Sequence, residues 1–182
     1  MPRVLVPLAE GCEELEAVTI IDILRRAKVE VVAAGLNEGP VTASRGTRLL
    51  PDMTLDAALE QDYDMAVLPG GLPGADHLGA DARLTDFLKA MADSGKFVGA
   101  VCAAPKVLAE QGILKGKRAT AYPGFLDDDV YPGVEYTRAA VEVDGKIVTS
   151  RGPGTAMDFS LKLVELLCGY ETCTQVEAAL VR

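Results

Sequence analysis

Cys102 ends a short apolar run in the stretch GAVCAAP, with small residues on both sides of it. Two readings fit this pattern. Cysteine is among the most buried residue types, so Cys102 reads as the end of a core strand. It also reads as a nucleophile on a sharp strand-to-helix turn, a geometry with no room for large side chains two residues away on either side. Ala100 and Ala104 hold those positions, with Gly99 and Ala103 beside them. A helix starting near Pro105 would aim its N-terminal dipole at the sulfur and favour the thiolate, and a proline costs nothing in that first turn.

A proton partner for such a thiol is present in EELEAVTIIDILRRA, residues 13–27. At about 100° per residue, Ala17, Ile20, Ile23, Leu24 and Ala27 share one helical face, and Glu14, Asp22, Arg25 and Arg26 lie away from it. Glu16 falls among the apolar residues. A buried carboxyl requires a hydrogen bond or a proton, and burial raises its pKa. Either Glu16 reaches water at the helix start, or it is held near a reacting group to give or take a proton. Glu13 shares that face, but as a first-turn residue it is expected to lean into solvent and complement the helix dipole. In PGGLPG, Gly70 and Gly71 form an ordinary turn signal that also frees two backbone N–H groups for a ligand oxygen. His77 is the single histidine; it reads as a surface residue, and any Cys–His pair would have to use it.

These residues need a scaffold, and the hydrophobic pattern specifies one. Apolar runs at 4–9, 29–35, 64–68, 96–101, 117–121 and 145–150 read as strands. Helical patterns follow at 13–27, 82–95, 102–112 and 155–169, with Thr155 and Asp158 at capping-box spacing before the last. Runs that are apolar throughout suit strands covered on both faces, and strand–helix alternation implies a parallel sheet between helices. Segments 42–50 and 134–144 are less regular and suit small antiparallel additions. Sites in such folds lie beyond the carboxyl ends of the strands, where the turns bearing Cys102 and Gly70–Gly71 and the start of the Glu16 helix all fall.

The 182 residues, 49% of them apolar and 25% charged, suit one domain over 1–182 with a sizeable core. A net charge of −9 disfavours nucleic acid and anionic membrane surfaces as partners. The start, MPRVLVPLAEGCEELE, does not read as a secretory signal, so a cytoplasmic chain with four free thiols (Cys12, Cys102, Cys168, Cys173) is expected. With no CxxC pair and one histidine, no structural metal site is expected.

Several separate motifs, in order, carry a resemblance over nearly the whole chain: RVLVPLAEGCEELEAV, VLPGG, AVCAAP and SRGPGTAMDFSLKLVELL. The chain resembles the ThiJ/PfpI superfamily, and within it the subfamily of the Parkinsonism-associated protein deglycase and its bacterial relatives. The resemblance implies a flavodoxin-like three-layer sandwich, a homodimer, and no cofactor. It implies that Cys102 is the reactive, oxidisable cysteine, that the Glu16 carboxyl bonds its sulfur, and that Gly70 and Gly71 line the pocket. Arg45 and Arg151 match arginines near the pocket or dimer interface. The implied activities are glutathione-independent conversion of methylglyoxal, a small 2-oxoaldehyde, to lactate, and repair of early glycation adducts. Protection from oxidative stress, redox sensing and chaperone-like holding are implied as well. Ala103 stands where the protease-like branch places a histidine, which argues against peptidase chemistry. Tyr122 stands where several closer members place a pocket histidine.

Overall fold

The computed structural model describes residues 1–127 and 129–182. The first half runs β1 (Arg3–Leu8), α1 (Glu14–Arg26), β2 (Glu30–Gly35), β3 (Val41–Thr42), β4 (Arg48–Leu49), β5 (Met53–Thr54) and α2 (Leu55–Leu59). It continues through β6 (Met65–Leu68), α3 (Gly74–Ala80), α4 (Ala82–Asp93), β7 (Phe97–Val101) and α5 (Pro105–Glu110). The remainder is β8 (Arg118–Ala119), β9 (Glu135–Tyr136), β10 (Val141–Asp144), β11 (Ile147–Ser150), α6 (Ala156–Cys168) and α7 (Tyr170–Ala179).

Among the described residues these strands form a seven-stranded sheet in the order β10-β11-β7-β6-β1-β2-β5. All its pairings are parallel except the β10–β11 hairpin. The central strands are apolar on both sides because both sides are covered. Leu5, Ala34 and Leu68 pack with Leu55, Leu84, Leu88 and Leu108 from α2, α4 and α5 on one face. Val4, Val6 and Val67 pack with Ile20, Ile23, Phe159 and Leu163 from α1 and α6 on the other. This is the expected three-layer α/β sandwich. Chain order reverses between β1 and β6, so a crevice opens beyond their carboxyl ends, beside β7.

Two expectations differ. Residues 117–121 do not extend the main sheet: β8 pairs in parallel with β9 in a separate ribbon. The small antiparallel additions are β3–β4 and the β10–β11 hairpin. Thr155 does not cap α6. Its Oγ1 accepts from the Gly152 N–H at 3.1 Å and lies 2.7 Å from Ser150 Oγ, closing the turn before the helix, while Asp158 is paired with Arg182. Helix α7 carried no clear signal because Val176 is its one buried residue.

Phe159 links this core to the crevice. Its ring lies against β7 at Gly99, where a Cβ would come within 3.3 Å of Cζ. Phe159→Ala is expected to lower unfolding stability by about 3–5 kcal/mol, measured by urea denaturation followed by circular dichroism.

Candidate active site

β7 ends at Val101, and Cys102 takes a φ of +63°, a left-handed conformation that costs a residue with a Cβ about 1–3 kcal/mol. The surrounding backbone holds it there. The Cys102 N–H donates to Ser150 O at 3.0 Å, and Cys102 O accepts from the Tyr122 N–H at 2.9 Å. Ala103 and Ala104 are buried beside it. The small residues of GAVCAAP thus flank a left-handed strand-to-helix turn, the geometry of an elbow.

Glu16, in the first turn of α1, is 0% exposed. Its Oε2 accepts the Gly70 N–H at 2.8 Å, and its Oε1 has no hydrogen-bond partner among the described residues. Its carboxyl also interacts with the Cys102 thiol. Gly70 is required by this approach: a Cβ there would lie 2.6 Å from Cys102 Cβ and 2.8 Å from Glu16 Oε2. The two expected glycine donors therefore part ways. Gly70 is committed to Glu16, whereas the N–H groups of Gly71 and Ala103 face the sulfur.

Burial pushes the Glu16 carboxyl up to about 7, against the pull of the Gly70 N–H and the Cys102 thiol. Burial and the neighbouring Glu16 charge push Cys102 up to about 12, despite the Gly71 and Ala103 N–H groups. The expected thiolate stabilisation by the following helix is opposed by burial. α5 has only six residues and begins three positions after Cys102, while desolvation and the neighbouring Glu16 carboxyl act against the charged sulfur. Burial thus raises both groups and disfavours a second negative charge on the pair near neutral pH. A raised pKa does not single out Cys102, since burial pushes Cys12 up to about 11 and raises Cys168 and Cys173 as well. Its left-handed backbone, its facing carboxyl and its open side do.

That open side is a cavity of about 410 Å³. Gly71, Ala103, Tyr122 and Arg45 line it with Cys102, as the sequence proposed. Glu13, Ser44, Leu72, Phe125 and Pro153 also line it and were not anticipated. Glu13 faces the cavity instead of open solvent, because Ser44 Oγ donates to its Oε2 at 3.0 Å. Arg151 does not line this cavity; its guanidinium donates to Arg138 O at 3.3 Å. His77 lies in a separate cavity of about 330 Å³, with Nδ1 2.9 Å from Glu10 O. No Cys–His pair forms. Among the described residues no three His, Cys, Asp or Glu side chains converge to hold a metal ion.

A mainly parallel, helix-covered sheet with a left-handed cysteine facing a buried glutamate at its carboxyl edge defines a cysteine-centred α/β protein. The DJ-1/PfpI family profile matches residues 2–166, and the chain belongs to that family. It is similar to Protein DJ-1 homolog B of Arabidopsis thaliana, with 46% identity over 98% of this chain and 41% of the relative. The chain thus spans less than half the length of that plant protein. It is 36% identical to the glutathione-independent glyoxalase DJR-1.2 of Caenorhabditis elegans, over 89% of this chain and 86% of the relative. The solved structure of oxidized Toxoplasma gondii DJ-1 superposes with a TM-score of 0.95 at 42% identity, covering 100% of this chain and 98% of that one. The flavodoxin-like architecture expected from the motifs is therefore the fold of this chain.

The raised Glu16 pKa has a stability consequence. In the unfolded chain the carboxyl titrates near 4.5 and in the folded chain near 7, so between these values only the folded chain keeps the proton. Stability therefore falls as pH rises through this window, by about 3 kcal/mol in all, and the full cost persists above it. Glu16→Gln removes the titration, so the melting-temperature advantage of the variant over wild type should widen between about pH 5 and about pH 8, read by thermal scans.

Proposed function

We propose that the protein protects against reactive carbonyls as a glutathione-independent glyoxalase that converts methylglyoxal to lactate. The same Cys102–Glu16 site would act as a deglycase on early glycation adducts. One observation carries this reading: a fully buried carboxyl with a pKa near 7 set against a cysteine sulfur that opens onto a cavity. Such a group takes and returns protons at neutral pH. The C. elegans relative named a glyoxalase supports the same chemistry. A cytoplasmic homodimer is part of the proposal, and the four free thiols accord with a reducing compartment. No helix is long and apolar enough to cross a membrane among the described residues.

The reaction begins with Glu16 ionised and Cys102 protonated. Glu16 takes the thiol proton as sulfur bonds the aldehyde carbon, then passes it to the carbonyl oxygen, giving a hemithioacetal. The Gly71 and Ala103 N–H groups stabilise the charge that develops on that oxygen. Glu16 next removes the hydrogen from this carbon and returns it to the adjacent carbonyl carbon. The hydroxyl proton moves to the second oxygen, leaving a 2-hydroxyacyl thioester. Water adds to the thioester, the carbon–sulfur bond breaks, and lactate and the thiol are released. No cofactor is required.

Incubation with methylglyoxal should yield lactate by NMR, and none with Cys102→Ala. Glu16→Gln should lower kcat/KM by about 100-fold or more, the scale of a lost general base. Because the base form is required, wild-type kcat/KM should rise with pH through about 7. Equal turnover by wild type and Cys102→Ala overturns the reading.

The unpartnered Glu16 Oε1 favours a second reading, a redox-responsive protein with little turnover. Peroxide oxidises the sulfur to sulfenic and then sulfinic acid, with water released at each step, and protonated Glu16 donates to a sulfinate oxygen. The similarity to a DJ-1 structure solved oxidized supports it. Mass spectrometry after mild peroxide should show Cys102 oxidised ahead of Cys12, Cys168 and Cys173; equal oxidation of all four argues against it.

A further inference from the structure

The proton chemistry at Cys102 and Glu16 leaves one part of the cavity lining without a role. Tyr122, Phe125, Leu72 and Pro153 give it an apolar, partly aromatic wall. Tyr122 is tied to the nucleophile, since its N–H donates to Cys102 O at 2.9 Å. Its ring rests on the backbone of Gly152, where a Cβ would come within 3.3 Å of Cδ2. Phe125 meets the Tyr122 ring edge-on, with centroids 6.2 Å apart and planes at 75°. Phe125 is itself backed by the Lys106 ammonium, 5.7 Å from its centroid, and Lys106 is paired with Asp76. The two rings are thus braced, yet Tyr122 remains 48% exposed. A large aromatic left half-exposed beside a reactive sulfur presents a surface for a flat ligand group. The cavity, at about 410 Å³, also offers far more space than the few atoms of methylglyoxal fill.

We propose that Tyr122 and Phe125 form a subsite for the substituent of the 2-oxoaldehyde, and that this subsite takes an aromatic group. An arylglyoxal is then a better substrate than methylglyoxal. This rests on the glyoxalase reading, and it makes Tyr122 a specificity residue that touches the substituent and no reacting atom. The arylglyoxal follows the same course, thiol addition, hydrogen transfer between adjacent carbons and hydrolysis, to give a 2-aryl-2-hydroxy acid.

Two measurements on wild type, Tyr122→Ala and Tyr122→Phe test it. In the first, kcat/KM is compared for phenylglyoxal and methylglyoxal, following mandelate and lactate. Wild type should favour phenylglyoxal, the ratio should fall about tenfold in Tyr122→Ala, mainly through KM, and Tyr122→Phe should retain it. The second needs no turnover: Cys102 is alkylated by phenacyl bromide or bromoacetone, the carbon–bromine bond breaking as sulfur bonds carbon. Rates are read by mass spectrometry and normalised to N-acetylcysteine. Wild type and Tyr122→Phe should select the aryl reagent about tenfold over Tyr122→Ala. Identical normalised selectivity in wild type and Tyr122→Ala overturns the subsite. Aryl selectivity that depends on Tyr122, without formation of either hydroxy acid, supports the subsite and overturns the glyoxalase reading.

Discussion

The site depends on one carboxyl buried away from the protein surface. Glu16 reaches from the start of α1 into the point where the backbones after β6 and β7 come together, and it takes the Gly70 N–H as its one fixed hydrogen bond. Burial raises its pKa into the neutral range, and the same burial costs stability wherever the group is ionised. The fold tolerates that cost because the layers above and below are packed with aliphatic side chains on both sheet faces. Glu16 is thus a place where local stability is lower than packing alone would allow, and its proton is correspondingly responsive.

Close backbone approach is the second constraint, and it follows from the first. Gly70 has no room for a Cβ against Cys102 and Glu16, and Gly71, at φ +86°, has none against Glu13 N at 2.4 Å. The left-handed Cys102 completes the arrangement by turning its sulfur toward the carboxyl and the Gly71 and Ala103 N–H groups. Three adjacent parallel strands, β7, β6 and β1, deliver these segments side by side. Burial and the neighbouring carboxyl both act against charge on the resulting sulfur. In the proposed reaction, a base held beside it and the Gly71 and Ala103 N–H groups would let proton transfer and bond formation proceed together.

Much of this was legible in the chain. Glu16 was marked by its position on the apolar face of α1, since a carboxylate there conflicts with helix periodicity unless it is used. Cys102 was marked by alanines where an elbow excludes bulk, and Gly70 and Gly71 by their place after a strand. The motif series pointed to the family, which the comparisons bear out. The dipole argument for a thiolate weighed one short helix and omitted desolvation, which depends on every atom packed around the sulfur.

Residue types and periodicity by themselves determined the central strands, the principal helices, the parallel sandwich and the edge at which its chemistry gathers, because each is a local consequence of spacing and side-chain size. Only the tertiary structure decided which N–H Glu16 consumes, and that Ser44, Leu72, Phe125 and Pro153 close the cavity while His77 and Arg151 stand outside it. Those outcomes depend on where loops distant in sequence meet, and on the dielectric that their meeting creates, neither of which is encoded within a single segment.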